Sequence, residues 1–283
     1  MKALEIRGLT KNYPAFRLDN ISFSVEEGEI MGFIGRNGAG KTTTLRSLFN
    51  LVHPDAGEIE FFGIPFSGHE DEIKQRTGFV SGGVDYYGKK KLSVITAVTK
   101  RFYTEWDEKA YEKYLKDFSL DESKTPEQLS AGMRVKYSLA LALSHNAELL
   151  ILDEPTSGLD PVSREELLDI FISLSGEGKT ILFSTHITSD LEKCADSITY
   201  IKNGRIFLSE PLESFENKYV HLSFENEPPA DIAARLTGLK RAKHGYTAVC
   251  EKDAALSLGL QGEPASLETV MVHIEKEGGG EVE

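Results

Sequence analysis

The chain has 283 residues, 40% hydrophobic and 27% charged, which is material for roughly two units of ordinary domain size with cores of their own. A net charge of −13 argues against a general nucleic-acid binder, since lysine and arginine supply that affinity; a bound phosphate would be held locally, by a shaped loop. Two distant cysteines, Cys194 and Cys250, give no disulfide framework or zinc pattern and suit a reducing cytosol, while no apolar stretch has the length of a signal core or a spanning helix, so any work at a membrane goes through a partner.

In chain order, ALEIRGL and LDNISFSV carry the alternation of strands, EGE is a turn, and IMGFIG is an apolar run ending in glycine. Residues 41–50 turn helical, EIEFFG (58–63) is a strand between Gly57 and Pro65, and RTGFV (76–80) is a strand ending at Gly82 and Gly83. Residues 92–146 read as helices, too many for one crossover, and so as a subdomain. ELLILDEP (148–155) is a strand buried on both faces, followed by the helix SREELLDIFISL, the strand TILFSTH, the helix SDLEKCAD, and two strands about Asn203-Gly204. This alternation predicts a mostly parallel sheet covered on both faces. Beyond Leu212, NKYVHLSF and YTAVC read as strands, DIAARLTG as a short helix closed by glycine, and SLETVMVHIEKE as a helix with Leu267, Val270, Met271 and Ile274 on one face, before a frayed tail GGGEVE. Residues 216–283 are expected to form a small accessory αβ domain behind a domain at 1–215 whose helical subdomain spans about 84–147.

Two segments carry chemistry. GRNGAGKT, Gly35, Arg36, Asn37, Gly38, Ala39, Gly40, Lys41 and Thr42, fits the P-loop pattern between a strand and a helix. Its glycines let backbone N–H groups converge on phosphate oxygens, Lys41 neutralises the outer phosphates, Thr42 offers a hydroxyl to magnesium, and Thr43 adds a phosphate contact. LLILDEP places Asp153 and Glu154 at the carboxyl end of a buried strand, where ligand chemistry gathers in open α/β sheets. Asp153 suits the metal, directly or through water, and Glu154 suits a general base for the attacking water. Together they define a nucleoside triphosphatase or phosphotransferase, and the lack of an NKxD segment argues against a GTPase.

Leu129-Ser130-Ala131-Gly132-Met133 opens a helix for which Ser130 is the expected N-cap, with Leu139, Leu143 and the alanines between them inward, and it lies 23 residues before Asp153. It resembles the LSGGQ signature of ABC ATPases, and the order Tyr13, GRNGAGKT, LSAGM, LLILDEP, SGLD (157–160) and STH ending at His186 is similar to that family over roughly 1–210. LSxGM and FYTEWDEKAYEKYLKDF look most like ATPase subunits of bacterial ABC-2 type exporters of drugs, antibiotics or lipids. The resemblance implies a RecA-like P-loop core with an N-terminal antiparallel β subdomain and a helical subdomain, ATP and Mg2+ as cofactors, and ATP hydrolysis coupled to transport. It implies that Tyr13 stacks on adenine, that Ser130 and Gly132 contact the γ-phosphate held by a partner's P-loop, that Asp160 lines the subunit interface, and that His186 contacts the γ-phosphate. A second copy or a paralogous subunit, a separate membrane permease and a cytoplasmic place on the inner face of the cell membrane go with it, and no nucleic acid. A soluble ABC ATPase acting on ribosome or DNA is the alternative, and a small-molecule kinase a third class. Two departures stand out. Ala131 and Met133 replace glycine and glutamine, and the family's glutamine after the G-[FY]-[LV] strand falls on Gly82, where Asp85 or water would have to complete a metal shell. The other histidines, 53, 69, 145, 221, 244 and 273, are expected to be surface or turn residues.

Overall fold

A computed structural model describes residues 1–81 and 87–276, and the chain divides into two units, Met1–Ser209 and Glu210–Glu283. Gly82, Gly83 and Asp85 and the tail from 277 lie outside the described residues.

In the first unit, Lys2–Tyr13 pairs antiparallel with Phe16–Glu26 on one side and Ala56–Phe61 on the other, and Ile64–Pro65 completes a four-stranded sheet. Alternation sends Leu4 and Ile6 inward, and a register shift between Ile6 and Leu9 brings Leu9 to the same core. Gly57 lies inside its strand, not before it. At φ +108 it sits so close to the neighbouring strand that a Cβ would lie 2.5 Å from Leu9 Cα. Pro65 pairs with Glu60 in the short edge strand where sequence suggested only a boundary.

The second sheet has six strands in the order Arg205–Pro211, Ser197–Lys202, Ile30–Ile34, Thr180–Thr185, Leu149–Asp153, Thr77–Ser81, and the last five of these run parallel. Ile30–Ile34, Leu149–Asp153 and Thr180–Thr185 are buried along their whole length, as continuous apolar strands covered on both faces should be. One core joins both sheets: Leu4, Leu18 and Phe23 from the first meet Met31, Phe33, Ile151 and Leu182 from the second, with Leu45 and Leu48 following the phosphate loop. Helix Pro161–Gly176 buries Leu167, Leu168, Phe171 and Leu174. The helical segment is Leu92–Thr99, Glu108–Asp117 and Ala131–Ser144, around Leu92, Ile95, Tyr111, Leu129, Tyr137 and Ala140.

The second unit contains Tyr219–Phe224, Ala230–Ala233, Thr237–Arg241, Tyr246–Glu251, Lys252–Ser257 and Glu263–Pro264 in a β-α-β-β-α-β succession. With its own strands counted from Tyr219, the antiparallel order is second, third, first, fourth, the ferredoxin-like arrangement. The final helix Leu267–Lys276 buries Leu267, Val270, Met271 and Ile274, the face read from the sequence. The segment DIAARLTG differs from its reading. Its helix ends at Ala233 and Gly238 belongs to a strand, where a Cβ would lie 1.9 Å from the His273 carbonyl oxygen. That close approach explains the glycine; it is no helix cap. One histidine, His273 in the final helix, departs from expectation, and His145, in the turn after Ala131–Ser144, is buried. His145 is 3% exposed and stacks on Tyr103 with ring centroids 3.7 Å apart, and His273 is 1% exposed with Nδ1 2.7 Å from the Gly238 carbonyl oxygen.

Candidate nucleotide site

Parallel register assembles the site. Ile34 pairs with Thr185 and Asp153 with Ser184, so the loop after Ile30–Ile34, the acidic pair and His186 all emerge at one edge of the sheet. Strand Ile30–Ile34 delivers Gly35, where a Cβ would meet the Ile201 carbonyl oxygen at 2.4 Å. Ala39 N–H donates to Arg36 O at 3.1 Å, closing the turn that holds Asn37 and Gly38 at the exposed tip. Gly40, at φ +116, caps helix Lys41–Ser47. The carbonyl of Thr43 accepts from Ser47 Oγ at 2.8 Å, inside that helix.

The side chains then interlock. Lys41, 4% exposed, donates to Gly35 O at 2.7 Å and lies 3.0 Å from Glu154 Oε1. Thr42 Oγ1 donates to Asp153 Oδ1 at 3.1 Å, and Ser184 Oγ donates to the same oxygen at 2.8 Å. Glu154 follows the strand in the left-handed region, φ 52, and its N–H donates to Ser184 Oγ at 2.9 Å. This turn aims the carboxylate back at Lys41 and at His186, whose Nδ1 is 2.8 Å from Oε2. A carboxylate only accepts, so Nδ1 carries the proton and Nε2 is the free nitrogen. Thr42 and Asp153 offer the hard oxygens that magnesium takes beside phosphate and water, and no group of three or more His, Cys, Asp or Glu among the described residues could hold a metal alone.

Tyr13 ends its strand 42% exposed, its ring centroid 6.5 Å from that of Phe16, and Phe16 in turn abuts Gly40. Ser130 and Gly132 stand apart from this cluster. Ser130 Oγ accepts from Met133 N–H at 3.2 Å as the N-cap of Ala131–Ser144. The groove at this end is lined by Ser130, Gly132, Met133, Ser163 and Glu166 among others, with no described residue of 35–43. Asp160 joins the same region: it caps Pro161–Gly176, accepting from the Val162 and Ser163 N–H groups at 3.1 Å and from Ser163 Oγ at 2.6 Å. The Ser163 hydroxyl and backbone hold the Asp160 carboxyl below the usual range. Sequence reading missed Ser184, which touches both acidic residues; a small polar residue one strand over and two before His186 was its only signal. It also missed Thr156 and Asp190, joined at 2.6 Å and both buried.

A parallel sheet with this loop, hydroxyl and carboxylate pair at its strand ends is that of a P-loop nucleoside triphosphatase. Residues 18–157 match the ABC transporter family. The bacitracin transport ATP-binding protein BcrA of Bacillus licheniformis is 34% identical over 231 residues, 79% of this chain and 76% of that protein. The Nod factor export ATP-binding protein I of Burkholderia orbicola is 36% identical over 212 residues, 71% and 68% of the two chains. The solved structure of an ATP-binding subunit of an ABC transporter superposes with a TM-score of 0.68 at 29% identity, over 76% of this chain and 92% of that one. The chain belongs to the ATP-binding subunits of ABC transporters, as an ATPase that binds and hydrolyses ATP. No helix among the described residues is long and apolar enough to cross a membrane.

Proposed function

We propose that two copies of this chain, or this chain and a paralogous subunit, enclose ATP head to tail and drive export through a separate ABC-2 type membrane permease at the cytoplasmic face of the cell membrane. The observation that carries this reading is the separation inside one chain: Lys41, Thr42, Asp153, Glu154 and His186 form one interlocked cluster, while the amide-rich end at Ser130 and Gly132 opens on another groove. A helix N-terminus with a capping hydroxyl and a glycine suits an anion, and an isologous pairing would bring it to the partner's phosphates. Asp160, tied to that end through Ser163, would lie along the same interface, and Tyr13 would stack on adenine beside the phosphate loop.

Lys41 exchanges its contacts with Gly35 and Glu154 for the terminal phosphates. Glu154, still held by His186 Nδ1, accepts the proton of water as the water oxygen bonds to the γ-phosphorus and the bond to the bridging oxygen breaks. His186 Nε2, with a second ring proton, would donate to the γ-phosphate. Thr42 and Asp153 would hold magnesium, which supplies charge neutralisation on the phosphates. The free energy for transport is the difference in ATP affinity between open and closed pairs.

A second groove of about 450 Å3, lined by Val94, Ile95, Val98, Leu129, Tyr137 and Leu141, receives the permease. Val94 and Val98 are 48% and 49% exposed on helix Leu92–Thr99, an apolar surface suited to a membrane partner. Glu154→Gln tests the scheme. It is expected to bind ATP, to lose turnover, and to run as an ATP-dependent dimer in light scattering. A variant that stays monomeric in excess ATP at every protein concentration, with binding intact, contradicts the pairing of two copies.

A further inference from the structure

The helical segment hides a polar network in an otherwise apolar core. Thr96 Oγ1 is 2.7 Å from Tyr111 Oη and 2.9 Å from Tyr137 Oη. Tyr137 Oη also donates to the Leu92 carbonyl at 3.1 Å, and Tyr111 Oη donates to Glu122 Oε1 at 2.9 Å. Thr96, Tyr111 and Tyr137 are 3%, 2% and 6% exposed. Burial pushes both phenols up, that of Tyr137 to about 12, so both keep their protons at neutral pH. Buried hydroxyls are costly unless bonded, and phenylalanine and valine would fill the same space without that cost. Such a network therefore asks for a reason beyond packing.

Its position gives one. Thr96 and Leu92 sit on the helix whose Val94 and Val98 face the permease groove, and Tyr137 sits on the helix that starts at Ser130, two turns from its cap. Backbone bonds staple the loop after Glu108–Asp117 to the start of the groove helix: Leu92 N–H donates to Lys124 O and Ser93 N–H to Glu122 O. Tyr137 is the hydroxyl tie between the two functional helices. Three hydroxyl protons serve four contacts here: the phenol protons of Tyr137 and Tyr111 go to Leu92 O and Glu122 Oε1, so the single Thr96 proton is shared between the two phenol oxygens. Leu92 and Thr96, the two partners of the Tyr137 hydroxyl, are one helical turn apart on one face.

We propose that Tyr137, through Thr96 and Leu92, is a positioning residue that sets the Ser130 end of its helix according to the state of the groove helix. This rests on the reading of the signature end as a phosphate contact made across two subunits. The test is steady-state ATP hydrolysis by the purified full chain, with ATP affinity by calorimetry and a thermal melt for each variant. Tyr137→Phe is expected to lower kcat roughly tenfold or more, because a small misplacement far from the chemistry is expensive, with ATP affinity unchanged. Thr96→Val cuts the same tie from the other helix and is expected to lower kcat alike. Tyr111→Phe removes a hydroxyl from the same core but leaves both contacts of Tyr137, and is expected to lower the melting temperature while keeping kcat. Native kcat in Tyr137→Phe or Thr96→Val well below the melting range overturns the proposal. So does an equal loss in Tyr111→Phe, which would mean that core integrity alone is being read. A Gly132→Asp variant with full turnover marks the failure of the two-subunit reading instead.

Discussion

Glu154 illustrates how one residue's backbone sets its chemistry. Its left-handed conformation, φ 52, is costly for a residue with a side chain, and the bond from its N–H to Ser184 Oγ helps hold it there. Ser184 thus fixes Glu154 and, through its own hydroxyl proton, Asp153. Ser184→Ala is expected to lower kcat about tenfold by loosening that geometry, with a destabilisation of about 1–3 kcal/mol from the unsatisfied polar atoms, read by turnover and urea melts. The acidic pair itself was legible in LLILDEP, because an apolar run closed by carboxylates and proline states its own burial. Ser184 was not, since its role depends on which strand lies beside Leu149–Asp153, and no local pattern reports that pairing. His145 carries a second expectation at this scale. Burial holds its imidazole below its ordinary pKa, against the favourable pull of the Gln75 carbonyl. The folded chain therefore takes up this proton only at lower pH than the unfolded chain does. Stability is full above the unfolded value of about 6.5 and declines as pH falls from there through the depressed folded value. Melting temperatures of the native chain and His145→Gln should diverge across that window and run parallel above it.

Among the elements, the helix at Ser130 separates a structural from a chemical role for one side chain. Ser130 caps it through Met133 N–H, so Ser130→Ala is expected to cost about 1 kcal/mol. Aspartate caps equally well but brings a negative charge to the place proposed for a phosphate. Ser130→Asp should keep the melting temperature and lose turnover; retention of both would leave the residue as a cap only. Start signals of this kind are local, and so Ser130 was readable as a cap, while Asp160 caps Pro161–Gly176 without having been read as one. Glycines misled where the constraint came from afar. Gly57 and Gly238 look like punctuation, yet each sits within a strand because another segment's backbone, at Leu9 and His273, leaves no room for a Cβ.

For the molecule as a whole, each unit carries an apolar cluster, one around Leu4, Phe33 and Ile151 and another around Leu222, Ala248 and Cys250. Leu222→Ala is expected to destabilise residues 210–283 by about 2–5 kcal/mol, visible as a lower transition in calorimetry, while ATP hydrolysis persists. The order of motifs along the chain revealed the parallel sheet, since a P-loop and an acidic strand end describe the sheet that must lie between them. The ferredoxin-like order of the second was hidden: Tyr219–Phe224 pairs with Tyr246–Glu251 and Glu263–Pro264, contacts that alternation alone does not assign. Two chains that share one nucleotide would meet the phosphate at Gly132. A Cβ there would meet Ser163 Cβ at 3.5 Å, ordinary contact, so the backbone position leaves room for a Cβ. The decisive measurement is steady-state ATP hydrolysis by purified Gly132→Asp: a loss of roughly a hundredfold or more with ATP still bound is the expected result, in keeping with removal of a site's oxyanion donors, and native turnover would contradict it.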